Sequence, residues 1–385
     1  MISRQRLAVS VAFLAFGIAV GSVIPRLPAL KDHLSLTDGQ VGIALLGVSA
    51  GGVTGALLSR LVIRRDASLY ARRCVVALCV AMIGPGLAES FGQLIVSFYV
   101  VGCFAGALDV LTNAQGAELE HVENRPLING LHGFWSLGAL IGSIVAGTAA
   151  YLSVGPLTQF VVVGVVIAAA TFRVLRHLPA YGEVLRPNTA DSVTAALVAV
   201  AAMCFAGVIA EAGTSDWSPL YLRELSRASP AIATAGFSGF ALAATLVRFR
   251  ADRLTARTSP ESVARIGAAV AVAGLTLAIA LPALPTAIIG FALVGMGTAV
   301  VLPLAFAAGA NLGQTGTPLA LVMAATYAGT IAGPPAIGTA ADHLGLRVAM
   351  AIPLLAAVVV VLLAGFLRRG QASPQMNRIT ASMPR

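Results

Sequence analysis

Residues 94–117 read LIVSFYVVGCFAGALDVLTNAQGA, an apolar run holding a single charge, Asp109. About 20 apolar residues suffice for a helix to cross the hydrocarbon core of a bilayer. The run has no period-two alternation, so it does not read as a half-buried strand. In lipid a helix also satisfies its own backbone polar groups, whereas an open strand cannot. The run therefore reads as a spanning helix with a carboxyl group inside the membrane.

Eleven more runs of this kind flank it, near 7–30, 41–58, 74–89, 129–150, 154–175, 195–222, 231–248, 264–281, 284–309, 317–340 and 345–367. Composition agrees: 58% of the 385 residues are hydrophobic and 11% charged, against about 25% charged in soluble domains. The mean hydropathy is +0.89. The fold class expected is an all-α membrane protein with twelve transmembrane helices. Arg4 and Arg6 before the first run resemble a signal peptide, but that run is long and further runs follow, so it reads as an uncleaved first span.

The net charge is +9, and every one of the 25 basic residues but Lys31 is Arg. They cluster between apolar runs, which argues for cytoplasmic loops facing anionic lipid and against a nucleic-acid partner. With the N-terminus inside, only Arg26, Lys31, Arg223, Arg227 and Arg347 fall outside. This predicts cytoplasmic termini and a multi-pass protein of the cell inner membrane. Cys74, Cys79, Cys103 and Cys204 lie in apolar stretches without metal-ligand spacing and read as packing residues. No metal or cofactor is expected.

Arg176–Asp191 is the one long polar connection and falls between runs six and seven. The organisation expected is a bundle over 1–175, a cytoplasmic linker over 176–194, a second bundle over 195–369 and a disordered tail over 370–385. The halves repeat each other. Gly138, Gly142 and Gly147 in run five recur at constant spacing as Gly329, Gly333 and Gly338 in run eleven. Gly102, Leu111, Gly116 and Ala117 in run four recur as Gly295, Leu304, Gly309 and Ala310 in run ten. The pattern predicts two pseudo-symmetric six-helix bundles. Gly47, Gly51 and Gly55, with Gly102 and Gly106, are GxxxG faces that let helices approach closely, either for packing alone or for sliding.

Asp109 costs roughly 2.5–3.5 kcal/mol to bury at membrane depth. Burial favours its protonated form, which suits a group that takes up and releases protons; the bland alternative is a structural bond to a neighbouring helix. Asn113, one turn on, shares its face and is expected, with Trp135 and His132, to contact the solute. Glu211 in run seven poses the same choice, and Asp216 beyond it is a weaker candidate. Trp217 reads as an interfacial anchor. His132 either relays protons to Asp109 or sits at the interface, and Trp135 either stacks on solute or anchors its helix. Glu118, Glu120 and Glu123 read as solvated. The clusters Arg60, Arg64, Arg65 and Arg248, Arg250, Asp252, Arg253 either reflect positive-inside bias or form a latch between the halves.

Those two clusters resemble the basic loop signature G-x-x-x-D-R-x-G-R-R of the major facilitator superfamily. The second copy keeps Asp252-Arg253, and the first reads Ser59-Arg60. Gly106-Ala-Leu-Asp109-Val-Leu-Thr-Asn113 resembles the fourth-helix G-x-L-E-x-x-x-N pattern of the fucose permease branch. His132–Gly138 and Glu211–Ser218 resemble uncharacterised bacterial relatives of that branch. The resemblance implies a proton-coupling role for Asp109 and a central cavity lined by helices one, four, seven and ten, near Asp109, Asn113 and Glu211. The permease's second acid, on its first helix, has no counterpart in Leu7–Ile24.

The function expected is proton-coupled transport of a small polar solute, such as a sugar, by alternating access. Solute and protons would be the partners and the chain would act as a monomer. Proton-driven efflux of amphipathic compounds is the rival, and a transport-inactive solute sensor is the alternative of another class. A membrane enzyme finds no support: Asp109, Glu211 and His132 are dispersed over three runs, with no HExxH or GxSxG.

Overall fold

The computed structural model describes residues 3–125, 127–180, 193–312 and 317–371. Most of the expected linker, and the tail beyond residue 371, lie outside these residues. So do the side chains of Arg60, Arg64, Arg65 and Asp252.

The first half consists of α1 (Arg4–Leu34), α2 (Asp38–Ser59), α3 (Asp66–Leu87), α4 (Phe91–Glu123), α5 (Ile128–Tyr151) and α6 (Pro156–Thr171). The second consists of α7 (Ala195–Glu224), α8 (Pro230–Arg248), α9 (Pro260–Ala280), α10 (Leu284–Asn311), α11 (Thr317–Leu344) and α12 (Leu346–Arg368). Eleven are long and apolar enough to cross a membrane, and α6, with 16 residues, is the shorter twelfth. The protein is thus an all-helical, multi-pass membrane protein of two six-helix halves.

Local chemistry sets the helix ends. Thr37 and Gln40 form a reciprocal capping box at the start of α2, and Ser90 caps α4 by accepting from the Gln93 N–H, each satisfying donors the first turn leaves free. Asp66 leaves helical geometry (φ −153°, ψ 84°) between α2 and α3, and its Oδ1 accepts from the Leu69 N–H at 2.8 Å. Glu120, expected to be solvated, instead accepts from the backbone N–H groups of Leu127 and Ile128 at 2.5 and 2.8 Å. It thereby caps the start of α5.

The repeated glycines make equivalent contacts in the two halves. Gly102 seats α4 on the backbone of α2 at Val48, and Gly295 seats α10 on α8 at Phe240. Gly138 packs α5 against α1 at Leu14, and Gly329 packs α11 against α7 at Phe205. Gly116 meets α5 side chains, as Gly309 meets those of α11. Gly147 meets α8 at Thr234, and Gly338 meets α2 at Asp38 and Gly42. At most of these sites a Cβ would come closer than 3.0 Å to a neighbour. Close packing, which in lipid replaces the hydrophobic drive between helices, is thus repeated helix for helix.

The halves meet along α2 with α11 and α5 with α8. Ser49 Oγ donates to the Thr330 carbonyl at 2.9 Å, and Ser143 and Ser238 hydroxyls pair at 2.8 Å. At the face opposite the chain termini, Lys31 Nζ pairs with Asp38 at 2.6 Å and with Glu224 of the other half at 2.5 Å. Thr37 Oγ1 donates to Asp342 at 2.9 Å, and Arg223 lies 3.6 Å from Asp32. Among the described residues, both ion pairs that cross between the halves lie at this face.

Candidate functional site

A cavity of about 230 Å³ lies between the halves. Its wall comes from α1 (Phe16), α2 (Ser49), α4 (Asp109), α7 (Ala212, Asp216) and α11 (Tyr327, Thr330), with apolar residues between. The expected lining by α1, α4, α7 and α10 holds for three of the four helices. The remainder comes from α2 and α11, the two helices that carry the contact between the halves, and no lining residue comes from α10.

Asp109 is on that wall because α4 packs its glycine face against α2. Gly102 and Gly106 line the same cavity, and Asp109 lies three residues beyond Gly106, on the same stripe of a 3.6-residue helix. Behind it the Asn113 amide donates to Asp109 Oδ1 at 2.9 Å and to the Asp109 carbonyl at 2.9 Å. The Asn113 carbonyl oxygen lies 3.1 Å from His132 Nε2. An amide oxygen only accepts, so this bond places a proton on Nε2. The imidazole stands edge-on to Phe13 of α1, centroids 5.2 Å apart, which orients it. Asp109, Asn113 and His132 thus form a hydrogen-bonded series leading from the cavity wall into the first half.

A second polar group joins the halves one turn along α5. Ser136 Oγ donates to the His132 carbonyl at 3.0 Å and accepts from Arg248 Nη1 at 2.5 Å. Arg248 Nη2 pairs with Glu211 at 2.6 Å, and Nε donates to the Ala299 carbonyl at 3.3 Å. The guanidinium also lies 5.6 Å from the Trp135 ring centroid, within cation–π range. Arg248 is buried, so it belongs to the contact between the halves and not to an exposed loop cluster; Arg253 is exposed.

The residues nominated from sequence therefore separate. Asp109 lines the cavity, whereas Asn113 and His132 stand behind it in series. Trp135 and Glu211 are engaged by Arg248. Asp216, ranked below Glu211 from sequence, is on the wall, its carboxylate accepting from Ser215 at 3.1 Å. Ala212 and Asp216 are spaced i, i+4 and share one stripe of α7, while Glu211 is turned about 100° away from Ala212. That stripe was the available signal. Trp217 is not an interfacial anchor: it is fully buried, because α7 packs against α8, α10, α11 and α12.

Two six-helix halves joined along paired helices around a cavity that holds two carboxyl groups define the architecture of a secondary transporter. The chain belongs to the Major Facilitator Superfamily, whose model matches residues 9–317. It is 30% identical over 369 residues to the uncharacterized transporter y4wD of Sinorhizobium fredii, covering 94% of this chain and 97% of that one. It is 26% identical over 384 residues to the membrane protein MosC of Rhizobium meliloti, covering 95% and 92%. Among solved structures, the nucleoside transporter NupG superposes with a TM-score of 0.68 at 11% identity, covering 96% of this chain and 99% of that one. A bacterial homolog of the human lysosomal transporter Spinster, in an inward-facing and occupied conformation, gives 0.66 at 15% identity, covering 95% and 96%. At these identities the structural likeness is one of fold.

Proposed function

We propose that this transporter moves a small polar solute by proton-coupled alternating access, with Asp109 as the group that takes up and releases the proton. The observation that carries this reading is the Asp109 carboxyl group on the wall of the cavity between the halves, with Asn113 and His132 hydrogen-bonded in series behind it. Asn113 positions the carboxyl group, and His132 tunes it through the amide. Glu211, held by Arg248, transmits the state of the second half to Ser136 and Trp135 of the first. A latch at the termini-bearing face would rest on Arg253, the side chains of its expected partners Arg60 and Asp252 lying outside the described residues. The Arg distribution favours a cytoplasmic placement of that face, and the reading takes the protein as a monomer of the cell inner membrane.

The fourth-helix motif favours a relation to the fucose permease branch and so a sugar-like solute. The largely apolar wall (Phe16, Ile24, Leu45, Val48) favours a second reading, proton-driven efflux of amphipathic compounds. Both readings place the proton on Asp109. In proteoliposomes, a solute identified by screening is expected to accumulate when a pH gradient is imposed. Asp109→Asn is expected to lower that accumulation by at least about tenfold, the loss of one buried charge-assisted interaction. Accumulation by Asp109→Asn at the wild-type level would refute the proton assignment.

A further inference from the structure

The transport reading leaves the chemistry of the solute open, and the charge on the cavity wall narrows it. Among the described residues, the fifteen that line the cavity include two carboxyl groups, Asp109 from the first half and Asp216 from the second, and no Lys, Arg or His. Behind the wall, neither Arg248 nor His132 supplies a compensating cation. Arg248 is paired with Glu211 at 2.6 Å, and His132 is bonded to Asn113. The remaining wall is apolar apart from the Ser49, Tyr327 and Thr330 side chains, with aromatic rings from Phe16 and Tyr327. Two carboxyl groups in so apolar a cavity are costly when charged, and a bound cation would offset that cost.

On this basis we infer that the solute is a small organic cation, its ammonium group held by the carboxylates of Asp109 and Asp216. An inorganic cation fits less well. Hard divalent ions take about six oxygen ligands, and among the described residues no three His, Cys, Asp or Glu side chains gather as a metal site. A protonated amine asks for less: three donors satisfied by two carboxylates and a hydroxyl, with the carbon body against Phe16 and the aliphatic wall. The cavity, at about 230 Å³, is smaller than the roughly 300–1,000 Å³ typical of drug-sized sites, so the cation is small. Because the two carboxylates belong to different halves, the bound cation bridges them, and its single charge replaces one proton, the one Asp109 carries in the empty site. The coupling is then exchange of proton for cation.

This inference rests on the transport reading but is tested apart from it. Purified full-length protein in detergent is screened by thermal shift against matched probes. These are ethanolamine, choline and glucosamine; their neutral counterparts ethylene glycol, 3,3-dimethylbutanol and glucose; and acetate, glucuronate, Na⁺ and Mg²⁺. Stabilisation is expected from ethanolamine and glucosamine and, through charge without N–H donors, more weakly from choline, but from none of the other probes. Calorimetric affinity for the best amine is expected to fall roughly 10- to 100-fold in Asp216→Asn, the range for a hydrogen bond to a charged group. It should be unchanged in Glu89→Gln, an exposed acid remote from the cavity. Asp216→Glu, which keeps the charge, is expected to bind within about tenfold of wild type and serves if Asp216→Asn is not monodisperse. Stabilisation by neutral or anionic probes or by inorganic cations alone, stabilisation by none of the amines, or full affinity in Asp216→Asn would overturn the inference. The two readings fail differently. A neutral solute accumulated through Asp109 removes the cation and leaves the transporter; an amine bound through Asp216 but never moved removes the transporter and leaves the cation.

Discussion

Asp109 and Arg248 illustrate two ways of keeping a charge inside a membrane. Asp109 faces a cavity, where solute or proton can reach it. Arg248 is enclosed and paired with Glu211, with side-chain exposures of 9% and 14%. Removing one member of such a pair strands the other, at a cost of about 3–5 kcal/mol, while removing both is far cheaper. Arg248→Met is therefore expected to melt well below wild type in detergent, and Glu211→Gln/Arg248→Met to regain at least half of the loss. Equal melting of single variant, double variant and wild type would show that the pair stabilises nothing. At this scale the sequence was only partly readable. Asp109 and Asn113 are one helical turn apart, so their shared face follows from spacing alone. Glu211 and Arg248 lie on different helices and nothing local in either announces the other. For that reason Glu211 ranked above Asp216, although the cavity stripe of α7 carries Asp216.

Helix packing was the most readable level, because it depends on where side chains are missing. Gly55 of α2 lies against the Cys103 carbonyl of α4, and a Cβ there would approach closer than 3.0 Å. Neighbouring backbone cannot yield as a flexible side chain can. Gly55→Ala is expected to destabilise by about 1–3 kcal/mol, the usual cost of overpacking. Gly92→Ala, on the same α4 but with nothing within 4 Å of the added carbon, is expected to change stability by less than about 0.5 kcal/mol. Thermal melts of the two variants check the contrast, and equal losses would mean that the close approach of α2 to α4 is not what the glycines serve. The glycine spacing also carried the duplication, since equivalent glycines meet equivalent helices. It did not reveal that α2 and α11, more than α10, wall the cavity. That depends on how the halves lean on each other, which no single helix encodes.

In the molecule as a whole, Lys31 and its two carboxylate partners close the face opposite the termini, and the cavity lies between that closure and the basic face. With the basic face in the cytoplasm, this arrangement is shut toward the outside. Alternating access would break the Lys31–Glu224 pair and the Thr37–Asp342 bond while the halves rock about the cavity. Coupling then requires the cavity carboxyl group of α4 to exchange its proton during that cycle. The most direct measurement traps a pH-sensitive dye inside proteoliposomes, adds solute outside, and records internal pH together with solute counterflow. Wild type is expected to show both a solute-evoked pH change and counterflow, while Asp109→Asn keeps counterflow only at raised solute concentration and loses the pH change at every concentration. A pH change of wild-type size in Asp109→Asn would contradict the account.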